Sequence, residues 1–278
     1  MSKIANLVIG PAGVGKSTFC KTMLDECLRR GRNVHCVNFD PAAESLPYAV
    51  TIDIKNYITS DLFMDYEGLG PNGALVAAME HFFKEYEEVL EEEIEDYSDD
   101  YLWIDCPGQI ELYVHLDFLE NMIKLLQDKL QYKLSIVFVL DATYSFEPNK
   151  FVAGVFSCLS VMAKASTVPC IALVTKMDLY KQLCKEKKKD EDNIEYFLDC
   201  DPGYLYGKLE KSSNKKFESL MKTLLGMIND EDMISFFSLD ITDTNSIFKI
   251  LYQVDLVTEY MENQEPDASN LNEEENNE

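Results

Sequence analysis

Arginine is nearly missing from this chain of 278 residues: three occur, Arg29, Arg30 and Arg32, all beside one another. Bases are scarce in general, with 25 Lys and Arg against 50 Asp and Glu, for a formal charge of −25. Such a surface repels a nucleic-acid backbone, so direct nucleic-acid binding is not expected, and a basic protein partner is the better match. There is no C-x-x-C pair among the eight cysteines at 20, 27, 36, 106, 158, 170, 184 and 200. Most of them sit in apolar runs, which fits reduced thiols in a cytosolic protein. No uninterrupted apolar run approaches the roughly 20 residues of a membrane-spanning helix, so no membrane association is expected. Met1 leads almost directly into the first strand, and we expect no signal peptide. No period of about 20 to 50 residues marks a repeat architecture. What is present, 46% hydrophobic and 11% aromatic residues, is enough for one large core, read as one domain with insertions over 1–262.

The chain is organised around Gly10-Pro11-Ala12-Gly13-Val14-Gly15-Lys16-Ser17, which follows the apolar run Asn6–Ile9 and opens a helical pattern from Thr18. It fits G-x-x-x-x-G-K-[ST] at every position. Glycines let backbone N–H groups turn toward phosphate oxygens, Lys16 can reach the β and γ phosphates, and the Ser17 hydroxyl can ligate Mg²⁺. The helix that follows adds its positive end. Gly13, Val14, Gly15, Lys16, Ser17 and Thr18 are therefore the expected phosphate-side binding residues.

Helical spacing runs from Lys16 to Arg30 and stops at Gly31. A second strand, 33–39, delivers Asp40-Pro41-Ala42-Ala43-Glu44 at its carboxyl end, where parallel sheets bind ligands. Asp40 reads either as a group that ligates Mg²⁺ or orients water, or as an acid that caps a turn before Pro41. Residues 51–68 read as one or two short helices in a segment able to move with the ligand. Gly70-Pro71-Asn72 is by itself a turn signal ahead of a long helix over Gly73–Glu95. Glu91 to Asp100 carries seven carboxylates and reads as a solvated helix end and loop. The next strand ends in Asp105-Cys106-Pro107-Gly108-Gln109-Ile110-Glu111. An acid there can hold Mg²⁺ through water, the Gly108 N–H can sense a γ-phosphate, and Gln109 can orient water, with Glu111 two residues on.

A helix over Leu116–Leu130, a buried strand over 134–140 and a helix over Phe151–Ala163 follow. Another buried strand, 170–174, delivers Thr175-Lys176-Met177-Asp178. A carboxylate at Asp178 can accept from guanine N1–H and the 2-amino group together, a donor pair that adenine lacks. The Lys176 stem can lie along the ring. Thr175 stands where N-K-x-D has Asn, which points to a weaker brace between base loop and phosphate loop. A helical insertion is expected over about 180–229. Its lysines between 181 and 189 read as a solvated basic helix face, with nuclear targeting as the rarer reading. A last strand, 233–237, leads to Ser238-Leu239-Asp240, where no residue type is diagnostic. A closing helix over Asn245–Met261 precedes an acidic tail, 263–278, expected to be disordered. Strand and helix alternate throughout, which predicts an α/β, doubly wound parallel sheet of the P-loop NTPase kind with helical insertions.

In this order, G-P-A-G-V-G-K-S, N-F-D-P-A-A-E, G-P-N-G, D-C-P-G-Q-I-E and T-K-M-D resemble the GPN-loop GTPases over nearly the whole chain except the acidic tail, with phrasing most similar to the third eukaryotic paralogue. The resemblance implies a dimeric, SIMIBI-class GTPase using GTP and Mg²⁺, paired with a paralogue or with itself. In it Gly70, Pro71 and Asn72 form a loop whose Asn72 contacts phosphate across the dimer. It further implies that Lys16, Ser17, Asp40, Asp105, Gln109 and Glu111 handle phosphate, Mg²⁺ and water. The implied role is assembly and nuclear import of RNA polymerase II, with its subunits as partners and a cytoplasmic location with nuclear shuttling. Pro11 and Ala12 depart from the wider class, which often places an additional lysine in the phosphate loop. Two other readings stand beside this one: a GTP-bound scaffold with negligible turnover, and a P-loop kinase of small metabolites. The kinase would need an arginine-bearing lid, which three clustered arginines do not supply.

Overall fold

The apolar runs of this sequence lack the polar alternation of half-exposed strands, so they have to be covered on both faces. In the structure, a computed structural model describing residues 3–97, 100–187, 194–212, 223, 226 and 234–260, they form one sheet. Its strands are β1 (Ile4–Ile9), β2 (Val34–Asn38), β3 (Ile52–Asp53), β4 (Tyr101–Asp105), β5 (Lys133–Asp141), β6 (Cys170–Thr175) and β7 (Phe236–Ser238). Among the described residues the order is β3-β2-β4-β1-β5-β6-β7, and every pairing is parallel. The helices are α1 (Lys16–Arg29), α2 (Ser60–Glu67), α3 (Pro71–Glu85), α4 (Glu87–Glu95), α5 (Glu111–Val114), α6 (Phe118–Ile123), α7 (Pro148–Lys164), α8 (Met177–Lys187), α9 (Ile194–Leu198), α10 (Pro202–Ser212) and α11 (Thr244–Val257).

Alternate residues of each strand feed two separate cores. Leu7, Ile9, Leu102, Ile104 and Phe138 pack with Met79 and Phe82 of α3 and with Phe151 and Val155 of α7. Val8, Tyr101, Trp103, Val137 and Val139 pack with Phe19 and Met23 of α1 and with Ile247 and Leu251 of α11. The expected doubly wound α/β sheet is thus what forms. β1 lies at its middle, and the loops after β1, β2, β4, β6 and β7 meet along one edge, where parallel sheets take ligands.

Several local expectations are corrected. Residues 51–68 are not helical throughout: β3 adds an edge strand, pairing Val37 with Ile52 and Asn38 with Asp53, ahead of a 3₁₀ turn and α2. Two strand residues are too few to show a period. The helix expected over Gly73–Glu95 begins earlier, with Pro71 at its first position, where a fixed φ and a missing N–H suit a helix start. It breaks at Tyr86 (φ −124°), which stacks on Phe82, so that α4 buries Leu90 and Ile94 while Val89 turns outward. The helix expected over Leu116–Leu130 begins at Phe118 and widens into a π-helical segment over Lys124–Lys129, which buries Leu125, Leu126 and Leu130 together. The last strand runs Phe236–Ser238, and Met233 lies outside the described residues. Helix α8 begins already at Met177, and α9 and α10 are further described helices within 180–229. The acidic tail 263–278, Lys188 and Lys189 lie outside the described residues.

Candidate functional site

The phosphate loop lies between β1 and α1. Gly15 has φ 99°, a left-handed conformation that suits glycine, and the first turn of α1 receives no side-chain cap and holds no acid. Its N–H groups are left for an anion. Lys16 is buried and its Nζ donates to Pro11 O at 3.3 Å. Burial lowers its pKa, against the pull of Asp105 and Asp40. Gly108 completes the cradle from the β4 side, because a Cβ there would stand 2.8 Å from Ala12 Cα. Only a bare backbone fits at that approach.

Asp105, at the end of β4, is 2% exposed and accepts a hydrogen bond from Tyr48 Oη at 2.9 Å. Burial pushes its carboxyl pKa up. Asp40 follows β2, and of its two readings the structure shows the turn cap. Oδ1 caps a turn by accepting from Ala42 N at 2.9 Å, while the carboxyl remains within electrostatic reach of Lys16, with its pKa raised by burial. Its loop is pinned from below. Asn38 Nδ2 donates to Asp40 O at 3.2 Å and to Asp53 Oδ1 at 2.8 Å, and Lys55 Nζ donates to Ala43 O at 2.6 Å. Ser17, Asp105 and Asp40 offer hard oxygen donors beside the phosphate loop, the donor class Mg²⁺ takes. Among the described residues no three His, Cys, Asp or Glu side chains converge into a metal cage.

Thr175, at the end of β6, does brace the base loop. Its Oγ1 lies 2.6 Å from Val14 O and 3.0 Å from Leu140 O, so the hydroxyl ties the strand end to the phosphate loop. Lys176 adds a second tie: its Nζ donates to Gly13 O at 2.6 Å and to Asp141 Oδ2 at 2.8 Å. Asp178 is exposed in the first turn of α8. With Gly15, Thr18, Phe19, Thr175, Lys176, Leu179, Leu239 and Ile241 it lines a cleft of about 220 Å³. Phe19, Leu179, Leu239 and Ile241 give this space apolar walls and Asp178 is its one carboxylate, a lining that could take a planar heterocycle with paired donors.

Gln109 and Glu111 lie to the other side. Together with Asn72, Gly73, Val76, Ala77 and Glu80 they line a second cleft of about 340 Å³, and Gln109 Nε2 donates to Asn72 Oδ1 at 3.0 Å. Asn72, expected to contact phosphate across a dimer, is thus engaged within its own chain. Glu111 is the exposed first residue of α5. The three arginines are occupied elsewhere, Arg29 and Arg30 on Glu26, Arg32 on Asp255.

Sequence reasoning missed Tyr48, Asn38, Lys55 and Asp141. Asp141 closes the apolar run of β5 as Asp105 closes β4, a signal that was there to be used. Tyr48 sits in an irregular stretch and has no such mark.

The sequence profile of a family described as a conserved hypothetical ATP binding protein matches residues 8–260. GPN-loop GTPase 3 of Kluyveromyces lactis is 38% identical over 97% of this chain and 97% of its own length. GPN-loop GTPase 3 of Dictyostelium discoideum is 40% identical over 96% of this chain and 90% of its own. The apo form of a GTPase from Pyrococcus abyssi, 23% identical, superposes with a TM-score of 0.71 over 91% of this chain and 97% of that one, a likeness of fold. Identity sustained at this level along nearly the full length of both partners leaves one assignment: the chain belongs to the GPN-loop GTPase family.

Proposed function

We propose that this chain binds GTP with Mg²⁺ along the sheet edge and hydrolyses it as one half of a dimer, formed with a paralogue or with itself. The observation that carries the reading is the pair of ties from Thr175 and Lys176 to Val14 and Gly13. They fix the Asp178 cleft at one distance from the phosphate loop, as a single nucleoside triphosphate spanning both would need. The family profile's description names ATP. Asp178 favours guanine, because N1–H and the 2-amino group both donate to a carboxylate, whereas adenine would leave that carboxylate unpaired.

In this mechanism the loop N–H groups and Lys16 hold the β and γ phosphates. Ser17, Asp105 and Asp40 would hold Mg²⁺, which would supply charge neutralisation at the phosphate oxygens. Gln109 orients the attacking water with Glu111 beside it, and Gly108 brings its N–H against the loop. No arginine of the chain is near enough to serve, so additional stabilisation is assigned to a partner's Asn72. For a neutral amide that contribution is about 1 kcal/mol. Asn72 must then leave its own Gln109, which frees Gln109 for water.

Phosphate release per chain is accordingly expected to rise with protein concentration through the dimerisation range. Asn72→Ala is expected to lower turnover several-fold, on the order of the ~1 kcal/mol above, while GTP binding stays intact. Mixing it with Gln109→Ala would restore one competent site per mixed dimer. Concentration-independent turnover, or wild-type turnover in Asn72→Ala, would remove the partner's role. Tight GTP binding with no turnover at any concentration would favour a scaffold. We further assign the chain to assembly and nuclear import of RNA polymerase II, in the cytoplasm with shuttling to the nucleus. Family membership supports this, as does a charge of −25 suited to a basic protein partner. Nucleotide-dependent co-precipitation of polymerase II subunits tests it.

A further inference from the structure

The cleft assigned to the base has two walls from different parts of the chain. One is the start of α8, with Asp178 and Leu179; the other is the loop after β7, with Leu239 and Ile241. No residue type in that loop is diagnostic of base recognition, yet three fastenings hold it. The Leu239 N–H donates to Val174 O of β6 at 2.8 Å, and the Asp240 N–H donates to Ser246 Oγ of α11 at 3.0 Å. Asp240 Oδ2 accepts from Lys181 Nζ at 2.7 Å. Its other oxygen accepts from the Thr242 N–H at 3.0 Å and the Thr242 hydroxyl at 2.6 Å, which shapes the loop around Ile241.

Lys181 lies three residues beyond Asp178 on the same helix, so both project from one side of α8. The Lys181–Asp240 pair therefore joins the wall that carries the discriminating carboxylate to the wall opposite. Nothing in its setting makes it a major source of stability: the Lys181 side chain is 46% exposed, and ion pairs with so exposed a partner contribute little. Partial burial works to raise the Asp240 pKa, but hydrogen bonds from Lys181 and Thr242 prevail and hold it below the usual carboxylate range. The N–H groups of Leu239, Asp240, Thr242 and Asp243 are all used within the protein. That of Ile241 makes no hydrogen bond among the described residues, and it belongs to the residue that lines the cleft.

We propose that the Lys181–Asp240 ion pair clamps the two walls of the base cleft and makes both residues positioning residues for purine selection. The clamp holds Ile241 and its N–H at a fixed separation from Asp178. A purine carrying a carbonyl oxygen at one edge position and a donor pair beside it satisfies both walls at once. A purine with an amino group in place of that carbonyl meets a donor with a donor and is rejected. Lys181, read from sequence as part of a solvated basic face, has this task because it comes one helical turn after Asp178.

The inference rests on the base assignment made above, and the experiment separates the two. Dissociation constants for GTP and ATP are measured with Mg²⁺ for the wild-type chain, Lys181→Met, Asp240→Asn, Lys181→Arg and, in parallel, Asp178→Asn. Thermal midpoints are recorded for each. Lys181→Met and Asp240→Asn are expected to cut the GTP-over-ATP preference by about tenfold with little change in midpoint, and Lys181→Arg to keep it. Undiminished preference in both variants, while Asp178→Asn loses GTP, would overturn the clamp and leave the base assignment standing. If Asp178→Asn also binds GTP as the wild type does, the base assignment falls and the clamp with it. A loss of preference that only tracks a lowered midpoint, with no retention in Lys181→Arg, would mark the pair as structural and overturn the proposal.

Discussion

At the phosphate loop Lys16 and Asp105 are withdrawn from water, and burial shifts both toward their neutral forms. At the base end Asp178 stands in solvent, and its charged neighbours Lys176 and Lys181 are already paired with Asp141 and Asp240. The difference is one of readiness. The base end has its cations paired without ligand, whereas at the phosphate end Lys16 and Asp105 remain shifted toward neutrality despite their mutual attraction. Binding energy gained there is available to the Asp40 loop, which is held from below by hydrogen bonds from Asn38 and Lys55.

This contrast can be broken most severely at Lys16. Lys16→Ala is expected to weaken triphosphate binding by about a hundredfold or more in calorimetric titration, since a buried cation among phosphates has no substitute in this chain. Wild-type affinity would remove the phosphate-loop assignment. A smaller effect of opposite sign sharpens the same contrast. Burial raises the folded pKa of Asp105 above its unfolded value. Such a carboxyl costs stability whenever it is ionised, so its contribution is most favourable at low pH and is lost as pH rises through the folded pKa. Asp105→Asn is therefore expected to raise the thermal midpoint of the nucleotide-free chain at neutral pH by a few degrees. The gain should fade as pH falls below the ordinary carboxylate range, and nucleotide with Mg²⁺ should no longer stabilise the variant as it does the wild type. A lower midpoint in nucleotide-free Asp105→Asn at neutral pH would contradict it.

The two ends also differ in how far the sequence reveals them. Eight consecutive residues, Gly10 to Ser17, match one motif at every position, so the loop between β1 and α1 was legible from sequence. Asp105 and Asp178 were legible as acids following buried strands, and the apolar runs of those strands were enough for the sheet. Tyr48 was not, because its bond to Asp105 spans 57 positions and no local period announces it. Thr175 was read by analogy with Asn as the weaker brace, yet its short side chain places the hydroxyl 2.6 Å from Val14 O. The break at Tyr86 and the π-helical segment after α6 arise from what the helices must bury against the sheet, which composition alone does not encode. The Lys181–Asp240 pair joins residues 59 positions apart and was hidden within a run of lysines.

The central proposal is that guanosine triphosphate is read at Asp178 and cleaved beside Lys16 along one sheet edge. The most direct measurement is phosphate release from GTP and from xanthosine triphosphate, with Mg²⁺, by the wild-type chain and by Asp178→Asn. The amide donates where the carboxylate accepted, so preference is expected to invert: GTP favoured by the wild type and xanthosine triphosphate by the variant, each by about a hundredfold. Asp178→Asn that cleaves GTP at the wild-type rate, with no gain toward xanthosine triphosphate, would contradict it.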